Sequence, residues 1–154
     1  MTTTEKLKAG VTTESADQTR ALAAELAAAL PPDTVLALHG DMGVGKTTFV
    51  QGLAQGLGVK EHVTSPTFAI YSVYQGAQRR LVHLDAYRLE KETQIEALLL
   101  DEFLVSPYVL AVEWPEKTGA WLPKEAWHLA LSIVEGDQPS PSLRLAGRHR
   151  VVLK

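Results

Sequence analysis

Hydrophobic positions along this chain change period in blocks. Thr19, Leu22, Ala23, Leu26, Ala27 and Leu30 recur at steps of three and four, the spacing of one helix face. They predict a first helix starting near Ser15, where Ser15-x-x-Gln18 has the form of a capping box, and stopping at Pro31-Pro32. Thr34-Val35-Leu36-Ala37-Leu38 is an apolar run of strand length. Phe49, Val50, Leu53, Ala54 and Leu57 return to helical spacing, which runs out near Gly56 to Gly58. Thr64-Ser65-Pro66-Thr67 predicts a loop, and the aromatic and β-branched stretch Phe68 to Tyr74 a strand. A turn at Gln75-Gly76-Ala77-Gln78 makes Arg80 to Asp85 its hairpin partner.

Lys91 to Phe103 predicts a helix with Ile95, Leu98 and Leu99 on one face. Tyr108 to Val112 is nearly unbroken in apolar character, as befits a central strand covered on both faces. Trp127 to Val134 and parts of Leu143 to Leu153 alternate. They predict antiparallel strands closing the sheet around a turn containing Gly136, Pro139 and Pro141. The sum is an α/β domain with a mixed sheet and helices on both faces.

Composition narrows this picture. At 154 residues the chain is most simply one domain, 1–154, and 45% hydrophobic content builds a core without staples. The absence of cysteine removes disulfides, thiolate metal sites and a cysteine nucleophile. Met1 to Gly10 has no apolar run and no signal-peptide pattern, and no run approaches a membrane span, so a cytoplasmic protein is expected. A net charge of −3 argues against wholesale electrostatic binding of nucleic acid. A basic group remains at Arg144, Arg148, Arg150 and Lys154, which fits a solvated strand edge or a contact to RNA or a partner.

The chemistry enters between the second and third blocks. Gly40-Asp41-Met42-Gly43-Val44-Gly45-Lys46-Thr47 fits the phosphate-binding pattern G-x-x-x-x-G-K-[ST], with a strand leading in and a helix leading out. That order aims backbone N–H groups and the positive helix end at one anion, with glycines letting the backbone close around it. Lys46 would reach the β- and γ-phosphates and Thr47 would ligate Mg²⁺.

Such a loop needs a carboxylate near the end of a neighbouring strand. Asp85 and Glu113 both close predicted strands. Glu113 ends the more apolar one, which belongs beside the phosphate-loop strand, and is favoured as the direct or water-mediated metal partner. Asp85 would orient the attacking water or contact the γ-phosphate, and the two roles could be exchanged. Thr64, Ser65 and Thr67 suit a segment that senses the γ-phosphate, or an ordinary loop with capping hydroxyls. Trp114 could stack on a base or pack at a rim; Trp121 and Trp127 are assigned to the core. The five histidines show no ligand spacing and are assigned structural roles.

Four motifs in order resemble the TsaE (YjeE) family: Gly40 to Thr48 (GDxGxGKTT), Ser65-Pro66-Thr67-Phe68 (SPTF), His83 to Leu89 (H-x-D-x-Y-R-L) and Glu113-Trp114-Pro115-Glu116 (EWPE). The resemblance implies a P-loop NTPase fold with a parallel core and flanking antiparallel strands. It implies a weak ATPase that binds ATP and Mg²⁺ and works with TsaB and TsaD. TsaD places a threonylcarbamoyl group on N6 of adenosine 37 in tRNAs reading ANN codons; tRNA would meet this chain indirectly or through the complex. By position, Asp41, Gly43, Val44, Gly45, Lys46, Thr47, Thr48, Asp85 and Trp114 would bind nucleotide, and Thr47 and Glu113 the metal. Lys46, Asp85 and Glu113 would form the catalytic set, and residues just before Thr19 would border the base. Where many members carry Gly-Arg before the last strands, this chain has Ser140-Pro141-Ser142-Leu143-Arg144, which makes Arg144 the candidate contact.

Two rivals are weighed. A chain without asparagine cannot present the guanine-reading N-K-x-D motif, and no T-K-x-D replaces it. A small-molecule kinase needs an acceptor pocket and an Arg-bearing lid; Arg79, Arg80 and Arg88 are the only candidates, and none lies in a long lid-like insertion.

Overall fold

The computed structural model describes residues 1–41, 43–66, 70–91, 93–134 and 148–154. Among them the element order is α1 (Thr3–Ala9), β1 (Val11–Thr13), α2 (Ala16–Ala29), β2 (Thr34–His39), α3 (Lys46–Gly56), β3 (Tyr71–Gln75), β4 (Arg80–Asp85), α4 (Thr93–Ala97), β5 (Tyr108–Glu113), β6 (Trp127–Ile133) and β7 (His149–Leu153). The strands form one seven-stranded sheet in the order β1-β7-β6-β2-β5-β4-β3. β6, β2, β5 and β4 run parallel. β3 joins one side antiparallel, and β7 then β1 the other. This is a P-loop NTPase-like α/β fold with the mixed sheet the sequence predicts.

Alternation along the strands divides the core in two. Leu36, Leu38, Leu81, Val109 and Ala111 pack with Leu7 of α1 and the inner faces of α2 and α3. Val35, Val82, Leu84, Leu110 and Val112 pack on the opposite face with Ile95 and Leu100. α2 and α3 approach closely because Gly52 and Gly56 lie one helical turn apart. A Cβ on Gly52 would sit 2.3 Å from the Arg20 carbonyl oxygen, and one on Gly56 2.6 Å from that of Ala24.

Four expectations need correction. The chain opens with α1 before the helix at Ser15. Thr2 accepts from Glu5 N at 3.1 Å, the Glu5 side chain accepts from Thr2 N, and this short capped helix carries one buried anchor, Leu7. Ser15 does cap α2, but Gln18 accepts from Glu14 N rather than closing the box on Ser15. The segment 91–103 is not one helix: α4 gives way to a left-handed Leu99 (φ 53°) and a 3-10 turn, Leu100–Glu102. Ile95 is buried, whereas Leu99 is 60% exposed. Finally, β6 is antiparallel to β7 but parallel to β2; alternation fixes which face a side chain takes and carries no strand direction. The predicted turn at Gly136, Pro139 and Pro141 lies outside the described residues.

Candidate functional site

The parallel strands place their carboxyl ends on one edge, where open α/β sheets bind ligands. β2 ends there and feeds the glycine loop. Gly43 (φ 83°) and Gly45 (φ 95°) take left-handed backbone, the conformation that L side chains resist. Gly45 is the N-cap of α3 and supplies no capping side chain, and the first turn of α3 carries no acidic residue. The N–H groups of that turn have no partner within the helix. Val44 turns inward, into the core beneath the loop.

Lys46 opens α3, where its charge opposes the positive helix end. Its side chain is nonetheless buried, with Nζ 2.6 Å from the Gly40 carbonyl oxygen and 3.8 Å from the centroid of the Trp114 ring. Burial pushes its pKa below the ordinary lysine value, with Glu113, Asp85, Glu116 and Asp41 pulling the other way.

The carboxylates come from the neighbouring strands. Asp85 ends β4, Glu113 ends β5, and the two are register partners; Glu113 is also the partner of Leu38 on β2. Glu113 Oε2 lies 3.4 Å from Thr47 Oγ1 and 2.5 Å from His83 Nε2. Asp85 accepts from the Tyr87 N–H at 3.0 Å, and the Ser65 hydroxyl lies 3.4 Å from its other oxygen. Trp114, at φ 56°, leaves β5 and stacks against Tyr87 with ring centroids 5.2 Å apart. Gly43, Gly45, Lys46, Thr47, Thr48, Ser65, Asp85, Tyr87, Glu113 and Trp114 line one cavity of about 590 Å³ together with Ala16, Arg20 and Gln51.

Residues 13–140 match the family described as "Threonylcarbamoyl adenosine biosynthesis protein TsaE". The chain belongs to the TsaE family. The TsaE protein of Bacillus subtilis (strain 168) is 37% identical over 141 residues, covering 92% of this chain and 88% of that one. That of Streptomyces coelicolor is 41% identical over 121 residues, covering 77% and 81%. A crystal structure of Bacillus subtilis YdiB superposes with a TM-score of 0.72 at 30% identity, covering 94% of this chain and 82% of that one.

Among the described residues of the TsaE-type motifs, Gly43 to Thr48, Ser65, Asp85, Glu113 and Trp114 meet at one edge of the sheet, although they are far apart in sequence. Asp41 is exposed in the loop before Gly43. Arg144, Met42, Thr67 and Phe68 lie outside the described residues.

Sequence reasoning missed His83, Arg20, Gln51 and Tyr87. His83, assigned a structural role, touches Glu113; its two-residue spacing from Asp85 on a strand was the available signal, since it places both on one face. Arg20 lies one helical turn after Ala16 and faces the cavity with it, held by Asp17 at 2.6 Å and reaching Gln51 at 3.4 Å. Two arginines that a kinase lid would require are engaged elsewhere. Arg79 donates to the carbonyls of Ala27 and Leu30 at the end of α2, and Arg80 to that of Phe103.

The donor set fits the expected groups. A glycine loop and an uncapped helix end beside a buried ammonium suit a polyphosphate. A hydroxyl and a carboxylate oxygen suit Mg²⁺, which takes one or two carboxylates and completes its shell with substrate phosphates and water. No group of three or more His, Cys, Asp or Glu that could hold a metal occurs among the described residues. No helix among them is long and apolar enough to cross a membrane.

Proposed function

We propose that this chain is an Mg²⁺-dependent ATP-binding protein and slow ATPase of the cytoplasm. It serves formation of the threonylcarbamoyl group on N6 of adenosine 37 in tRNAs reading ANN codons, in an ATP-switched assembly with TsaB and TsaD. The observation that carries the reading is Lys46. A buried cation at an uncapped helix N-terminus is opposed by both burial and the helix dipole. An anion in the loop relieves both.

In this reading the loop N–H groups and Lys46 hold the β- and γ-phosphates. Thr47 and Glu113 would hold Mg²⁺, which offsets the charge on those phosphates. Asp85, fixed by the Tyr87 N–H, faces the phosphate end and orients the attacking water. The water oxygen bonds to the γ-phosphorus as the bond to the β–γ bridging oxygen breaks, giving ADP and phosphate. The Ala16–Arg20 side of the cavity borders the base. The threonylcarbamoyl transfer itself belongs to TsaD. Binding ATP orders the loop edge of the sheet as a docking surface, and hydrolysis releases it.

The test is Mg²⁺-dependent ATP hydrolysis by the chain alone, then with TsaB, TsaD and tRNA. Slow turnover that changes when the partners are added is the expected result. Fast turnover alone, indifferent to the partners, would return the small-molecule kinase to consideration.

A further inference from the structure

We infer that His83 is a positioning residue that aims the Glu113 carboxylate at the cation site, an inference that rests on the nucleotide–Mg²⁺ reading above. The imidazole is completely buried in β4, on the sheet face shared with Leu81 and turned toward α3. Its Nε2 meets Glu113 Oε2 at 2.5 Å, the same oxygen that Thr47 approaches. Its Nδ1 is buried with no hydrogen-bond partner.

That imbalance sets His83 apart from an ordinary core histidine. Buried polar atoms are paired in the great majority of cases, so a ring kept solely for packing is better replaced by an apolar side chain. Here one nitrogen goes unsatisfied while the other holds a carboxylate at the edge of a phosphate site. A carboxylate oxygen accepts, so the proton of this contact belongs to His83 Nε2, which donates to Glu113. That donated bond fixes the direction in which the carboxylate points its charge. A lysine or arginine in the same place would pair with that charge and compete with the cation. Strand register supplies the reach: His83 is partnered with Ala111 on β5, two residues before Glu113, so the ring lies behind the carboxylate. Outer partners of this kind typically change metal affinity about 10–100-fold when removed.

The test compares the parent chain with His83→Leu and His83→Gln. Calorimetry measures ATP affinity with Mg²⁺ and with a chelator, and thermal melts report folding. The parent is expected to bind ATP more tightly with Mg²⁺. His83→Leu should lose about 10–100-fold of that enhancement while its affinity in chelator holds. His83→Gln, whose amide can donate from nearly the same place, should recover most of it.

An unchanged Mg²⁺ enhancement in His83→Leu overturns the inference. So does equal loss of enhancement and of Tm in both variants, which marks a packing role. No Mg²⁺ enhancement in the parent defeats the metal reading itself, and this inference falls with it.

Discussion

Lys46 concentrates the chemistry of the molecule in one side chain. Its ammonium rests on the Gly40 carbonyl oxygen and the Trp114 face, both at the mouth of the loop that would receive phosphate. Lys46→Ala is expected to lower ATP affinity or turnover at least about 100-fold, by analogy with loss of one preorganised charge-stabilising group. A folded mutant with parental binding and rate would falsify that role. Glu113→Ala should lower Mg²⁺-dependent turnover more than it lowers stability, although it also strips the buried His83 of its partner; an Mg²⁺ titration beside a melt reads both. His39, the last residue of β2 before Gly40, offers a pH-dependent counterpart at the base of the loop. Its Nε2 meets His128 Nδ1 at 2.8 Å, and burial followed by His128 lowers its pKa below the usual 6.5. The unfolded chain therefore takes up this proton first on acidification. The stability tied to neutral His39 is complete above about pH 6.5 and declines below it. Urea midpoints between pH 7 and pH 5 should fall less in His39→Gln than in the parent.

At the level of elements, the helix that presents Lys46 and Thr47 is held by its contact with α2. Gly52 and Gly56 let the two backbones meet, with Ala23 and Ala27 filling the remaining space. Gly52→Val adds side-chain atoms where even a Cβ would lie 2.7 Å from that of Ala23. Such overpacking costs about 1–3 kcal/mol, against a helix-propensity gain below about 1 kcal/mol. A lower denaturant midpoint is expected; a raised one would show that α2 and α3 separate freely. The far end of α2 depends on the β3–β4 hairpin, since Arg79 caps carbonyls that the helix's own last turn, lacking basic residues, leaves open. These contacts tie the phosphate-loop helix to an edge hairpin through two helix interfaces.

In the whole molecule, the site exists only where four parallel strands end together. ATP with Mg²⁺ should raise Tm with the logarithm of its concentration above Kd, by about 2.7 kcal/mol of added stability at 100 times Kd, and Lys46→Ala should remove the shift. Much of this architecture is legible in residue order. The phosphate loop is local, so Gly40 to Thr47 specifies its own turn and helix start. The unbroken apolar run of β5 marks a strand buried on both faces, and Asp85 and Glu113 reveal themselves by closing strands. Chain-distant relations are different. The direction of β6 depends on its partners, because alternation is the same in parallel and antiparallel strands. The break at Leu99 overrides a continuous helical period through packing of Ile95 and Leu100 against the sheet. The contact of His83 with Glu113 and the turn of Arg20 toward the cavity join residues 30 or more positions from their partners in the site. The sequence by itself determined the glycine turn and the helix start that would receive a phosphate. Only the tertiary structure decided which side chains surround it, because that depends on register between strands and on helix contacts that no local pattern encodes.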